Sequence, residues 1–421
     1  MSKYLKFFTG RVGQWKRLKA VFGSTPTPLQ PFWMHCASLG EFEQGRPLLS
    51  AIREKYPDKK ILLTFFSPSG YEIRKNTRLA DYVFYLPLDT PRNARRFLDL
   101  VKPRTAIFVK YEFWYFYLTG LKKRNVPTYL VSAHFRADQI FFKKYGALFR
   151  RMLTCFTHIF VQDESSRQLL ESLPAAAPAA AAPAAATPAT ATPAEANALP
   201  ATLPVTVAGD TRFDRVVAGV TQDTAPETLI QLLRDPVLIA GSTWPKDHVF
   251  LKRLAEDMPL LQLVLVPHET DPAQLRAIRR LFRNPLPVFY SEALQEKNPA
   301  PPRILVIDSV GLLSRLYRHA TLCYVGGGFN ASGIHNILEP AVHAKPVLFG
   351  PNHSKFKEAG SMISQQAAVS FHNYDTLLSA VKHWMDNPAL REQAGKTAGN
   401  YVLENTGATQ LILQKMADRV P

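Results

Sequence analysis

The chain has 421 residues, with 51 Lys or Arg against 34 Asp or Glu, a formal net charge of +17, 46% hydrophobic residues and three cysteines. The length suits two or three domains of about 100–200 residues each, and the apolar content supports packed cores, which excludes a wholly disordered chain. The cysteines, Cys36, Cys155 and Cys323, are odd in number and widely spaced, so they form neither a disulfide framework nor a CxxC metal pair and fit a reducing compartment. No apolar run approaches the ~18–20 residues that span a bilayer, and the charged start lacks the apolar stretch and small-residue cleavage site of a signal peptide. The expectation is a cytosolic chain. Its charge requires an acidic partner, and nucleic acid, an anionic membrane face and phosphorylated substrates all qualify.

Residues 1–24 carry Lys3, Lys6, Arg11, Lys16, Arg17 and Lys19 with no acid, while Tyr4, Phe8, Val12, Trp15, Leu18 and Phe22 recur at near-helical spacing. The pattern predicts a basic amphipathic helix, either lying in a membrane interface with its lysines toward anionic headgroups or packed on its own domain. After Pro31, short β-rich runs alternate with helical stretches: Phe32–Cys36, Lys60–Phe66, Tyr82–Leu86, Thr105–Val109, Thr128–Val131, His158–Gln162 and Val205–Ala208. A second series follows at Val237–Ala240, Leu261–Val266, Val288–Tyr290, Ile304–Ile307, Leu322–Val325 and Pro346–Phe349. Such alternation means βαβ units and parallel sheets, hence an α/β chain of two Rossmann-like domains, residues 25–215 and 228–421. Three final helices, Tyr374–Asn387, Leu390–Glu404 and Thr409–Ala417, close the second domain or cross back to the first.

Between the last two strands of the first series, residues 174–204 contain 16 Ala and 7 Pro among 31 residues. Proline at that frequency stops alanine from propagating a helix, and few large apolar side chains are present to bury, so this stretch reads as a disordered surface insertion. Its deletion over residues 175–202 is expected to leave the fold intact, because closing a loop costs little extra entropy as it lengthens.

Three regions carry candidate chemistry. Tyr324-Val-Gly-Gly-Gly-Phe-Asn through His335-Asn-Ile-Leu-Glu-Pro340 reads as a strand ending in glycines and leading into a helix. Glycines permit close approach of backbone to an anion, and a helix start offers N–H groups to a phosphate; the plainer reading is a tight turn. Asn336 and Glu339, three apart, would share a helix face on which Glu339 accepts hydrogen bonds from ribose hydroxyls. The spacing is neither GxGxxG opening a first βαβ unit nor a P-loop, which favours a sugar nucleotide over a dinucleotide or a nucleoside triphosphate. In the first domain, Phe32–Cys36 runs into Ala37-Ser-Leu-Gly-Glu-Phe-Glu43, which places Glu41 where a loop becomes a helix. Glu41 is there either a helix-dipole partner or, because strand carboxyl ends face the ligand crevice, a general base; Glu43 is expected to be merely solvated. Lys110-Tyr-Glu-Phe-Trp114 and Gly209-Asp-Thr-Arg-Phe-Asp214 also join charge to aromatics, and Glu112 and Arg212 are candidates for the cleft, with Trp114 in the core. His268, His335, His343 and His353 lack close zinc spacing, and no metal is expected.

These motifs together resemble the 3-deoxy-D-manno-octulosonic acid (Kdo) transferases of lipopolysaccharide biosynthesis, inverting glycosyltransferases of the GT-B fold. The resemblance rests on seven ordered blocks: His35–Glu41, Tyr85–Asp89, Lys110–Trp114, Gly209–Asp214, Ala240–Thr243, Asp308–Gly311 and Val325–Pro340. It implies two Rossmann-like domains with parallel sheets facing a central cleft, the first binding acceptor and the second binding CMP-Kdo. The implied reaction moves Kdo from CMP-Kdo to a glucosamine hydroxyl of a lipid A precursor, lipid IVA, without a metal or other cofactor. Glu41 then matches the catalytic base, and Glu112 and Arg212 match positions that stabilise the transition state. The CMP segments fall on Pro267 and His268, on Val310, Gly311 and Leu312, and on Asn336, Ile337, Leu338 and Glu339, with the phosphate near Gly326 and Gly327. Members commonly carry Arg where this chain has His268 and an acid where it has Leu312.

The implied setting is the cytoplasmic face of the bacterial inner membrane, where a peripheral protein of charge +17 meets an anionic lipid acceptor. Two competing readings are a sugar-nucleotide 2-epimerase of the same architecture and a non-catalytic basic membrane- or RNA-binding protein. No RRM, KH or helix-turn-helix pattern is present, so nucleic acid is not the expected partner.

Overall fold

The computed structural model describes residues 9–24, 27–173, 203–222, 225–296 and 299–418. Residues 1–8 of the amphipathic segment, and all of the Ala/Pro stretch except Leu203 and Pro204, lie outside the described residues. Two compact units make up the chain: Met1–Arg215 with Thr406–Pro421, and Val216–Asn405.

The first unit is built on seven parallel strands in the order β3-β2-β1-β4-β5-β6-β7. They are β1 (Phe32–Cys36), β2 (Ile61–Phe65), β3 (Tyr82–Tyr85), β4 (Thr105–Val109), β5 (Thr128–Ala133), β6 (His158–Val161) and β7 (Val205–Val207). Alternate residues of β1 serve opposite faces. Trp33 joins Phe97, Phe108 and Tyr117 on one side, while Phe32, Met34 and Cys36 join Leu48, Ile52 and Ile61 on the other. Burial on both faces is what an all-parallel sheet with helical crossovers demands.

The helix Gln14–Phe22 packs on this unit. Leu18 and Phe22 are in the core, Trp15 lies beneath the Arg96 guanidinium at 4.2 Å, and the Gln14 side chain donates to the Tyr85 carbonyl. Its apolar side is therefore committed inward, and of the two arrangements open to this segment, residues 14–22 adopt the one packed on their own domain. Val12, counted in the apolar stripe, is instead 77% exposed.

The second unit repeats the plan in the order β10-β11-β9-β8-β12-β13-β14, from β8 (Val237–Thr243), β9 (Gln262–Pro267), β10 (Val288–Phe289), β11 (Ile304–Val306), β12 (Leu322–Val325), β13 (Val347–Phe349) and β14 (Ala368–Ser370). The edge strand β14 was not among the expected strands. The closing helices are Tyr374–Asp386, Pro388–Glu404 and Ala408–Ala417. The last belongs to the first unit, so the second does not extend to residue 421. Asp214 receives the backbone N–H groups of Gly407 (2.6 Å) and Thr409 (2.7 Å) and caps that helix, while Ile412 and Met416 enter the core beside the helix Leu39–Lys55.

In each sheet the chain first builds outward to one side and then to the other, so the direction reverses between β1 and β4 and between β8 and β12. Ligands of open α/β sheets bind beyond the strand carboxyl ends at such reversals. Glu41 and Lys110–Glu112 follow β1 and β4; Trp244 and Gly326–Gly327 follow β8 and β12.

Candidate active site

At the first reversal, Ser38 and Glu41 cap the helix Leu39–Lys55 reciprocally. The Ser38 hydroxyl accepts the Glu41 N–H at 3.5 Å, and Glu41 Oε2 accepts the Ser38 N–H at 3.0 Å, the arrangement that satisfies two otherwise orphaned amide donors. Glu41 is thus the helix-terminus partner that the plainer reading foresaw. It is also more than that: burial first, and then the Glu112 charge, push its carboxyl up to about 7 against the pull of the Ser38 and Ala37 amides and of Lys110. A carboxyl poised there exchanges a proton readily near neutral pH.

Glu112 is 7% exposed. Its Oε2 accepts the Trp114 indole N–H at 2.6 Å and faces His35 Nε2 at 3.2 Å. Register explains the next link, because β1 and β2 pair His35 with Thr64. Thr64 Oγ1 lies 2.8 Å from His35 Nδ1 and accepts the Trp33 indole N–H, also at 2.8 Å. With that oxygen taking one donor and its hydroxyl proton turned to Nδ1, His35 carries its own proton on Nε2 and donates it to Glu112. Glu112 is fixed by this chain, and Trp114 is one of its holders as well as a core residue.

Arg212 follows β7 on the helix Thr211–Gln222. Asp210, itself buried, receives the Arg212 guanidinium at 2.8 Å and its backbone N–H at 2.9 Å. Asp210 also accepts from Gln44 at 3.4 Å, and Thr211 donates to the Gln44 carbonyl at 2.6 Å. Gln44 stands three residues after Glu41 on the same helix, so the base candidate and the anchor of Arg212 share a rigid support.

Glu43 departs from the expectation of a merely solvated carboxylate. It pairs with Arg74 (2.7 Å), Arg215 (3.1 Å) and Arg46 (3.5 Å). Burial acts to raise its pKa, but Arg215 and Arg74 outweigh that and hold it below its ordinary value.

In the second unit the predicted nucleotide segments follow three strands of one sheet. Pro267 ends β9 and His268 follows it, residues 310–312 follow the adjacent β11, and Gly326 and Gly327 follow β12, which β8 separates from β9. Val310 is 89% exposed, and Gly311 has φ +91, open to glycine without strain. His268 stacks over both Trp244 (4.7 Å) and His335 (4.4 Å), which lie side by side, the Trp244 indole donating to His335 Nε2 at 2.9 Å. Burial and the neighbouring His268 push His335 down to about 4, and burial lowers His268. At neutral pH this is an uncharged stack.

The glycine loop works differently from the phosphate cradle expected. The Gly326 N–H goes to the Gly241 carbonyl (2.9 Å) and the Gly327 N–H to Asp247 (3.0 Å), so neither is open to a phosphate. A Cβ on Gly326 would lie 2.4 Å from the Ser242 carbonyl oxygen, and one on Gly328 would lie 2.6 Å from Gly350. These glycines permit backbone to pack on backbone. Nor does a helix begin here: the next one, Leu338–Ala341, starts after Ile337 and is one turn long. Asn336 precedes it, accepts the Leu338 N–H at 3.2 Å and donates to Glu339 at 3.1 Å, which does bring the predicted pair together. Ile337 and Leu338 are buried.

Two contributors went unassigned by sequence reasoning. His35 was legible as a polar residue inside the apolar strand Phe-Trp-Met-His-Cys. Lys110, which adopts φ +70 directly after β4 and acts on Glu41, had no sequence signal beyond its place in its block. Among the described residues no three His, Cys, Asp or Glu side chains are grouped to hold a metal ion, and no helix is long and apolar enough to cross a membrane.

The family described as 3-deoxy-D-manno-octulosonic-acid transferase matches residues 11–183, a span that holds Glu41, Glu112 and the His35 network. A 3-deoxy-D-manno-octulosonic acid transferase of Haemophilus influenzae is 29% identical over 409 residues, 93% of this chain and 87% of that protein. Over most of its length the chain resembles the Kdo transferases. A second Kdo transferase, from Bordetella pertussis, is 26% identical over 96% of this chain and 92% of its own length. Among solved structures, UDP-GlcNAc 2-epimerase from Neisseria meningitidis superposes with a TM-score of 0.60 at 14% identity, covering 92% of this chain and all of that one. MurG from Acinetobacter baumannii gives 0.54 at 12%, covering 92% and 99%. At such identities these two show the GT-B fold alone; the likeness to Kdo transferases is one of sequence, and it supports a glycosyltransferase role.

Proposed function

We propose that the chain transfers Kdo, with inversion, from CMP-Kdo to a glucosamine hydroxyl of a lipid A precursor, working as a peripheral protein at the cytoplasmic face of the inner membrane. The observation that carries this reading is Glu41, a carboxyl raised to about 7 at the β1/β4 reversal. As base it takes the proton of the acceptor hydroxyl while that oxygen attacks the anomeric carbon, and the proton thereby lost gives the oxygen the electron pair for the new glycosidic bond. The bond to the CMP phosphate breaks as the other forms, so no covalent enzyme intermediate is required. Arg212, held in place by Asp210, offers a permanent positive charge to the sugar carboxylate or the departing phosphate. Glu112, fixed by His35 and Trp114, keeps Glu41 basic. In the second unit Glu339, aligned by Asn336, receives ribose hydroxyls.

The leaving group is a stable phosphate monoester, and the proposal needs no metal. The test is transfer from freshly generated CMP-Kdo to a tetra-acylated lipid A precursor in detergent micelles with excess EDTA, read by mass spectrometry. A Kdo mass increment is the expected result. A folded protein that binds CMP yet adds no Kdo to this acceptor refutes the proposal. The 2-epimerase alternative requires turnover of a sugar nucleotide with no acceptor, and the sequence relatives do not favour it.

A further inference from the structure

A cavity of about 400 Å³ opens beside Glu112, walled largely by Phe113, Trp114, Ile140, Phe141 and Phe149. Phe141 meets Phe113 at 4.7 Å and Phe149 at 5.9 Å, so these three rings form a continuous surface in the wall. Polar groups along it bond to protein: Glu112 Oε2 to His35 and Trp114, and the Tyr111 hydroxyl and Gln139 Oε1 to Arg136. The segment is rigidly built. Arg150 donates to the Phe141 (3.0 Å) and Lys143 (2.9 Å) carbonyls, and Gly146 packs so closely that a Cβ would lie 2.0 Å from the Ile140 carbonyl oxygen. On the same segment Tyr145 is 76% and Leu148 50% exposed, flanked by the exposed cations Lys144 and Arg151.

We propose that this cavity binds an acyl chain of the lipid acceptor, which rests on the function proposed above. A volume equal to about a dozen waters at roughly 30 Å³ each, lined mainly by rings, suits a hydrocarbon chain better than a sugar. The neighbouring cations suit the acidic headgroup from which such a chain hangs. The carboxylate that forms part of the wall is the one that acts on Glu41, so a chain seated here tethers its sugar near the base. A bulk phospholipid would gain from the rings but has no reason to be held beside the reacting carboxylates.

The test uses the intact protein and needs no donor sugar, so it stands apart from the transfer assay. Two probes are compared: a glucosamine 1-phosphate N-acylated with a chain bearing bromine, and a lysophosphatidylglycerol with the same chain. Both are added below their micelle concentrations. Bromine quenches indole fluorescence at short range, and the Trp114→Phe protein supplies the baseline without the reporter in the wall. The expected result is quenching of Trp114 by the glucosamine probe at concentrations at least tenfold lower than by the lysophospholipid. Affinity should rise about fourfold per added methylene until the cavity is full and then level off. Ile140→Glu, checked for folding by circular dichroism and CMP binding, should weaken binding at least tenfold. Equal quenching by both probes overturns the assignment to the acceptor. Quenching by neither, or no dependence on chain length, overturns the acyl site itself. If the probe binds as expected and no Kdo is transferred, the function proposed above fails while the acyl site stands.

Discussion

The two sheets share a topology and differ in what they place at its reversal. Beyond β1 and β4 stand the ionisable groups Glu41 and Glu112, and burial, followed by the charge of Glu112, brings Glu41 to about 7. Beyond β8 and β12 stand glycines that pack backbone on backbone and an indole–imidazole stack that burial keeps uncharged. In the function proposed above, one reversal moves a proton and the other presents a rigid, neutral surface. The same fold serves both because topology sets where a ligand meets the sheet, while a few residues after each strand set what happens there.

That contrast breaks most directly at Glu41. Glu41→Gln keeps a hydrogen-bond acceptor for the Ser38 amide but cannot take a proton, and kcat/KM for transfer should fall by about 10²–10⁴-fold, with the CMP dissociation constant unchanged by calorimetry. Equal losses in both would erase the division between the two reversals.

Next in size is the support of Glu112. His35→Leu leaves a buried carboxylate without its imidazole partner and should cost about 3–5 kcal/mol in chemical denaturation, whereas His35→Gln, which retains a donor, should cost less. A His35→Leu protein as stable as wild type would remove the chain Trp33–Thr64–His35–Glu112 from the account. In the second unit, Gly326→Ala forces Ser242 and Thr243 to move and should cost about 1–3 kcal/mol, with weaker CMP binding. If CMP binding is unaffected, the loop has no part in the nucleotide site.

The smallest effect sharpens a contrast within the first reversal itself. Glu43 is held below its ordinary value of 4.5, so the stability it contributes is present above that pH and is lost as pH falls through its folded value. Glu43→Gln should cost about 0.5–1 kcal/mol at neutral pH and flatten the acid limb of stability. Glu41, raised instead, stabilises the fold only when protonated, and that contribution disappears as pH rises through about 7, over the range in which the proposed base loses its proton.

Much of this was legible in sequence, for identifiable reasons. Thirteen of the strands stood out because each is a short apolar run set between helical stretches, whereas β14, three residues at a sheet edge with two of them half-buried, carries too little pattern to separate from a loop. Glu41 was located from the strand-to-helix junction, but its pKa depends on Glu112, which the β1/β4 pairing brings near. Glu43 was misjudged because its partners Arg74 and Arg215 lie 31 and 172 residues away. The glycine run was read as a phosphate loop because strand-glycine-helix spacing does not reveal where the helix begins or which carbonyls claim the amides.

The most direct test of the central claim is the pH profile of kcat/KM for Kdo transfer, from about pH 5 to about pH 9, for wild type and for Glu112→Gln. The account predicts an ascending limb with an apparent pKa near 7 in wild type, moved to lower pH in the variant because a charge that raises Glu41 is gone. A wild-type limb at the ordinary carboxylate value, or one that stays in place when Glu112 is neutralised, would contradict the assignment of Glu41 as the base.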